Sequence, residues 1–211
     1  LVVVTVLPTL KSNNAPEGPK VSTVVPKLKK SDIVLSDSHV KGEPNAPNSL
    51  VVFSDFQCPM CKDVSPQLDK LVEKSGKKLN MVYHHFKPRP DHIHSQAMSR
   101  AAEAAGEQGK FWEMHDQLFK IQDLVKDEDD KKVDALIMQL AKDIKLDVFK
   151  FQASLKAKSA DDHFLADNVL ALQIKVHQTP TFYGIDSNGV VTEIPTFPDV
   201  QTWAKKQGIP N

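Results

Sequence analysis

Three stretches of the 211-residue chain predict an α/β fold with a long helical middle. Residues 50–86 read as strand–helix–strand, 95–174 carry helical periodicity, and 179–194 return to strand and turn chemistry. Forty per cent of the residues are hydrophobic, enough for a full core without crosslinks. The 27 basic and 27 acidic side chains balance, so there is no overall field to draw nucleic acid or an anionic membrane. No apolar run approaches the roughly 20 residues that span a bilayer.

The elements follow in order. Leu1 to Leu7 is apolar but too short for an anchor, and no basic residues precede it to suggest a signal peptide. Residues 1–31 read as an arm or linker, with Pro8, Pro16, Pro19 and Pro26 among lysines and few apolar groups. The domain starts near Asp32. Gly42 to Asn48 is turn chemistry. Leu50, Val51, Val52 and Phe53 form a buried strand. Pro59 suits the first turn of a helix, where its missing N–H needs no partner, and Val64, Leu68, Leu71 and Val72 continue at helical spacing to Gly76. Pro66 inside that run predicts a kink. A second strand covers Leu79 to Phe86.

Helices are expected at Ser95–Ala105 and Lys110–Leu124, then around Val133–Ile144, Val148–Leu155 and Ala160–Ile174. The charged run from Lys126 to Lys132 is a solvated turn whose acids fall at the next helix start. Thr179 to Tyr183 and Val190 to Ile194 make a hairpin across Asp186–Gly189, and a last helix runs from Pro198 to Gln207, stopped by Gly208. The chain divides into 1–31 (arm), 32–94 (first α/β half), 95–174 (helical insertion and return helix) and 175–211 (second half).

The chemistry concentrates in Cys58-Pro59-Met60-Cys61, which holds both cysteines of the chain. A bond across two residues closes almost no loop, so it stabilises little and suits being made and broken. The setting puts Cys58 between a strand end and a helix start, where free N–H groups favour a thiolate. Cys61 lies one turn in. An exposed, low-pKa sulfur would attack a partner disulfide or thiol, and a shielded one would resolve the mixed disulfide.

Three segments then carry a resemblance. The stretch Val51 to Cys61 resembles the active-site segment of the DsbA-like thiol–disulfide oxidoreductases. Gln108 to Phe119 resembles that family's helical insertion, and Thr179-Pro180-Thr181-Phe182 resembles its cis-proline loop. The resemblance covers about Asp32 to Gln207. It implies a thioredoxin fold with an inserted α-helical domain, Cys58 as nucleophile and Cys61 as resolving thiol. It implies a cis Pro180 facing the pair, with Thr179 offering backbone hydrogen bonds to a bound peptide and Pro59 and Met60 supporting the site. It also implies cysteine-containing protein substrates, a redox partner protein, no cofactor and an oxidising extracytoplasmic compartment such as the bacterial periplasm or cell envelope. The oligomeric state stays open.

Two departures from the family pattern stand out. Many relatives bury an acid six residues before the first cysteine, where this chain has Val52, so no obvious acceptor for the Cys61 proton is left. Asp55 reads as a turn residue instead. Strong oxidants of the family carry His between the cysteines, where this chain has Met60. A less stabilised thiolate and a more reducing couple are expected.

Rival chemistries are weaker. Zinc on Cys58 and Cys61 lacks further ligands at suitable spacing: His92 and His94 have the wrong gap, and His84 and His85 on a strand face opposite ways. No metal is assigned. His92 and His94 read as solvated loop residues, and His115 and His177 as helix and loop residues of the fold. No phosphate loop or nucleophile elbow is present. Trp112, Phe111 and Phe119 read as packing and not as a base-stacking platform, so no nucleic acid is expected. The alternatives to an enzyme are a peptide- or metal-binding module on the same fold and an interaction domain with a vestigial site.

Overall fold

The computed structural model describes residues 28–210. The expected arm lies outside them except at its end, where Lys30–Ile33 forms a short helix, α1. A five-stranded sheet follows in the order β1-β3-β2-β4-β5. Its strands are β1 (His39–Gly42), β2 (Asn48–Ser54), β3 (Leu79–His85), β4 (Thr181–Ile185) and β5 (Val191–Ile194). β2 and β3 are parallel, and the other neighbours are antiparallel. The parallel pair is joined by α2 (Pro59–Lys74), as a crossover connection requires.

β2 lies inside the sheet, and all seven of its residues are buried. Alternation sends Leu50 and Val52 to one face, where they meet Leu68, Leu71, Phe182, Val200 and Trp203. Val51 and Phe53 go to the other, with Val82, Ala171, Tyr183 and Ile185. Trp203 comes from α8 (Phe197–Lys206) and lies so close to β4 that a Cβ on Gly184 would meet its ring at 2.3 Å. Glycine is what lets that helix settle on the strand.

Five helices stand between β3 and β4: α3 (Ser95–Gly106), α4 (Phe111–Val125), α5 (Asp130–Asp143), α6 (Val148–Lys156) and α7 (Lys158–Gln173). α3 to α6 share a core of Met98, Met114, Leu118, Val133, Ile137 and Phe151, which also takes in Phe56, Tyr83 and both cysteines, while α7 packs Leu170 and Ala171 against the sheet. The charged run ends as expected: Asp129 caps α5 by accepting from the Lys132 N–H. The hairpin turns at Gly189 with φ +77°. α2 runs through Pro66 as one helix.

Two expectations are corrected. β1 was not anticipated; Gly42, read as turn chemistry, is the last residue of a strand paired with Asn80 of β3. His94 is not a solvated loop residue, and His92 is mostly buried. His94 is buried with Nε2 2.9 Å from the Glu128 carbonyl, and His92 Nδ1 lies 2.6 Å from the Asp55 carboxylate.

Candidate active site

Cys58 is the N-cap of α2 and Pro59 its first residue. Local sequence explains the placement: β2 ends at Ser54, a turn closes with the Cys58 N–H on the Asp55 carbonyl, and proline starts the helix. Cys61 sits one turn further on, and both cysteines are free thiols. Cys58 is 7% exposed and Cys61 1%, so Cys58 is more shielded than the exposed sulfur expected from the sequence. It lines the groove described below.

The two thiols have opposite electrostatics. The Cys58 pKa falls from 9.0 to about 6, chiefly because the Cys61 thiol hydrogen-bonds its sulfur; burial opposes this, and Thr179 and the backbone N–H groups of Cys61 and Met60 assist. The Cys61 pKa is pushed well above 9.0, first by burial and then by its neighbour Cys58, with Ser54 offsetting part of the rise. One sulfur is therefore a thiolate at neutral pH and the other its proton-bearing partner. Val52 is 2% exposed and apolar-packed, so no carboxylate occupies that position beside Cys61. It borders a small void with Ser54, Tyr83 and His115.

The second wall comes from the distant end of the chain. The Thr179–Pro180 bond is cis, and as a thiol Cys58 Sγ donates to the Thr179 carbonyl at 3.3 Å. Beside the pair opens a groove of about 630 Å³ lined by Cys58, Pro59, Met60, Arg89, His177 and Thr179 among others. Met60 is 63% exposed at its edge. The structure thus brings together Cys58, Pro59, Met60, Cys61, Thr179 and Pro180.

Several site residues escaped sequence reasoning. Gln122 of α4 donates to the carbonyls of Phe56 at 2.6 Å and Cys58 at 3.0 Å, fixing the loop from the helical side. Asp55 is the expected turn residue, accepting from the Gln57 N–H at 2.9 Å, but it is also buried and accepts from Ser95 while facing His92. Gln57 Oε1 accepts from the His94 N–H at 2.6 Å. No local pattern marks these partners, which come from α3, α4 and the preceding loop.

Fold and site together define a thioredoxin-fold protein with a helical insertion and an apposed cysteine pair. The thioredoxin family model matches residues 35–203, and the chain belongs to that family. Its fold is similar to BdbD of Bacillus subtilis in the oxidised form (22% identity, 81% of this chain and 92% of that one, TM-score 0.66). It is similar also to a thioredoxin-like oxidoreductase from Silicibacter pomeroyi (22%, 85% and 97%, TM-score 0.67) and to the thiol–disulfide exchange protein α-DsbA2 of Wolbachia pipientis (16%, 84% and 90%, TM-score 0.65). These are DsbA-like folds, as the sequence resemblance implied.

In sequence the chain is 32% identical over 145 residues to a Na⁺/H⁺ antiporter, NhaA 3 of Salinispora tropica, and 42% identical over 85 residues to NhaA 1 of Mycolicibacterium gilvum. The chain spans about a fifth of the length of the first of these curated relatives and less of the second. Among the described residues no helix is long and apolar enough to cross a membrane.

Proposed function

We propose that the chain is a thiol–disulfide oxidoreductase acting on cysteine-containing proteins, with Cys58 as nucleophile and Cys61 as resolving thiol. The observation that carries this is the split pair: a thiolate with a pKa of about 6 at the groove edge, and a buried thiol held protonated behind it.

The oxidised pair works as follows. A substrate thiolate attacks the Cys58 sulfur, the Cys58–Cys61 bond breaks, and Cys61 leaves and takes up a proton. A second substrate thiolate then attacks the mixed disulfide at the substrate sulfur. The substrate disulfide forms, and Cys58 departs as a thiolate, which its low pKa favours. Run backwards from the reduced pair, the same steps reduce a disulfide. The cis-proline loop and Met60 border the space where an extended substrate segment would lie beside Cys58.

The thiolate is stabilised, but less than in the strongest oxidants of this chemistry, whose attacking cysteine has a pKa of roughly 3.5 against roughly 7 in thioredoxin. The couple therefore belongs between the two, at roughly −270 to −120 mV. Val52 and Met60 agree with this, since neither adds a charge to the pair. Equilibration with glutathione measures the potential; a value at or above the oxidising limit refutes the placement. The catalytic reading itself is tested by Cys58→Ser, which should abolish insulin reduction and dithiol oxidation while leaving the circular dichroism spectrum unchanged. Retained turnover would refute it.

The working compartment we infer is extracytoplasmic, where protein disulfides form and persist, with a further redox protein to recycle the pair. Ion transport is not part of the reading, because the antiporter likeness covers only a segment of those proteins.

A further inference from the structure

We propose that His39, Glu103 and His163 bind a divalent transition-metal ion, with zinc the best fit to the donor set. One ligand atom from each lies within 4.8 Å of the others. His39 Nε2 is 2.9 and 3.0 Å from the two Glu103 carboxylate oxygens, and His163 Nδ1 is 3.1 Å from Oε2. The three side chains come from β1, α3 and α7, so no sequence spacing announces them. Zinc with bonds of roughly 2.0–2.2 Å sets tetrahedral ligand atoms roughly 3.3–3.5 Å apart, so the two donor pairs that involve Glu103, at 2.9 and 3.1 Å, need to part by only a few tenths of an ångström. His163 is 36% exposed and lines the cavity that opens onto the cluster.

The surroundings are those of a ligand set. A second nitrogen of His163, Nε2, faces Asp37 Oδ2 at 3.6 Å, the outer carboxylate that orients a ligating imidazole. Buried His85 holds the other end of the carboxylate, with Nε2 2.9 Å from Glu103 Oε1. The His39 ring stacks flat on Phe111 at 3.5 Å and 8°. Gly106 makes room for it: a Cβ there would meet His39 Cε1 at 3.1 Å. A cavity of about 180 Å³ opens onto the cluster, lined besides the three donors by Gly106, Glu107 and Ser159. It offers an entry path with acidic groups and no lysine or arginine in its walls.

Donor chemistry selects the ion class. Two imidazole nitrogens and one carboxylate suit zinc and its first-row neighbours, whereas calcium and magnesium want oxygen alone. Bound there, the ion would tie the edge strand β1 to α3 and α7. This site shares no residue with the cysteine pair, so its test does not depend on the redox reading.

The experiment uses the full chain in its oxidised form, so that Cys58 and Cys61 are paired and cannot ligate. After chelator treatment it is titrated with zinc chloride, and in parallel with calcium chloride, by calorimetry and thermal unfolding. One zinc per chain should bind and raise Tm. His163→Ala and His39→Ala should each weaken binding by at least ~10-fold and remove the Tm rise. His163 is partly exposed, so His163→Ala keeps a folded reference if His39→Ala does not. No binding at about 100 μM zinc, undiminished binding in a folded variant, or calcium binding as tight as zinc would each overturn the assignment.

Discussion

Replacing Cys61 by alanine in the reduced protein should move the titration of Cys58 upward. The Cys61 thiol is the largest stabiliser of the Cys58 thiolate, whose pKa lies at about 6 against 9.0 for a free cysteine. A hydrogen bond to a charged group contributes about 1.5–3 kcal/mol. At 1.36 kcal/mol per pH unit, its loss raises the Cys58 midpoint by roughly one to two units. The assay is the rate of alkylation by iodoacetamide against pH. Wild type should show a midpoint near 6, with roughly nine in ten molecules as thiolate at pH 7, and labelling confined to Cys58. Cys61→Ala should show a midpoint of roughly 7–8. A midpoint within about half a unit of wild type would assign the stabilisation to the helix N-terminus and Thr179, and refute the reasoning.

The same shift sets a pH dependence. The folded pKa of Cys58 is depressed, so its contribution to the stability of the reduced protein is complete only above pH 9 and vanishes as pH falls through about 6. At pH 7 it amounts to about 1.4 kcal/mol. Oxidised protein has no such group. The stability of reduced relative to oxidised protein should therefore rise between pH 6 and 9, and a flat difference would contradict the shift.

Three further substitutions test the frame of the site and the sheet. Gln122→Ala leaves the Phe56 and Cys58 carbonyls without their donor and should cost about 1–3 kcal/mol in urea unfolding, with slower thiol exchange. Asp55→Ala strips a buried acceptor from Ser95, His92 and the Gln57 N–H and should cost about 3–5 kcal/mol; an unchanged urea midpoint would remove Asp55 from the architecture. Gly184→Ala drives a methyl group into Trp203 and should cost about 1–3 kcal/mol, read as a lower Tm with the redox chemistry intact.

What was legible in the sequence was what neighbours in the chain decide. A strand end, a proline at the first helical position and a helical run beyond it place Cys58 without reference to anything distant. The buried alternation of β2 and the turn at Gly189 are equally local. What was not legible depends on pairing at long range. β1 has four residues with one β-branched side chain, and it is a strand only because β3 runs beside it. His92 and His94 look like loop histidines until Asp55 and Glu128 arrive. Gln122 meets the carbonyls of residues 66 and 64 positions away, and His39 meets Glu103 across 64. A polar side chain in such a role has no spacing signature, because its partner is chosen by the fold.

Those long-range partners assign the inserted helices a part in the chemistry that the cysteine motif alone does not reveal. The Cys58 loop is held from the helical side by Gln122, with Thr179 beside the sulfur on the other, while Ser95, His92 and His94 fasten the turn that leads into it. The strand side thus supplies the Thr179 wall of the groove, and α3 and α4 fix the backbone from which the sulfur projects. The thiolate depends on that backbone, since the N–H groups of Met60 and Cys61 stabilise it only if the first turn of α2 holds its position. Loosening Gln122 should therefore raise the Cys58 pKa as well as lower stability. Gly184→Ala, which crowds Trp203 and touches none of these hydrogen bonds, should lower stability only. The contrast between the two variants separates a frame that tunes the sulfur from packing that merely supports the fold.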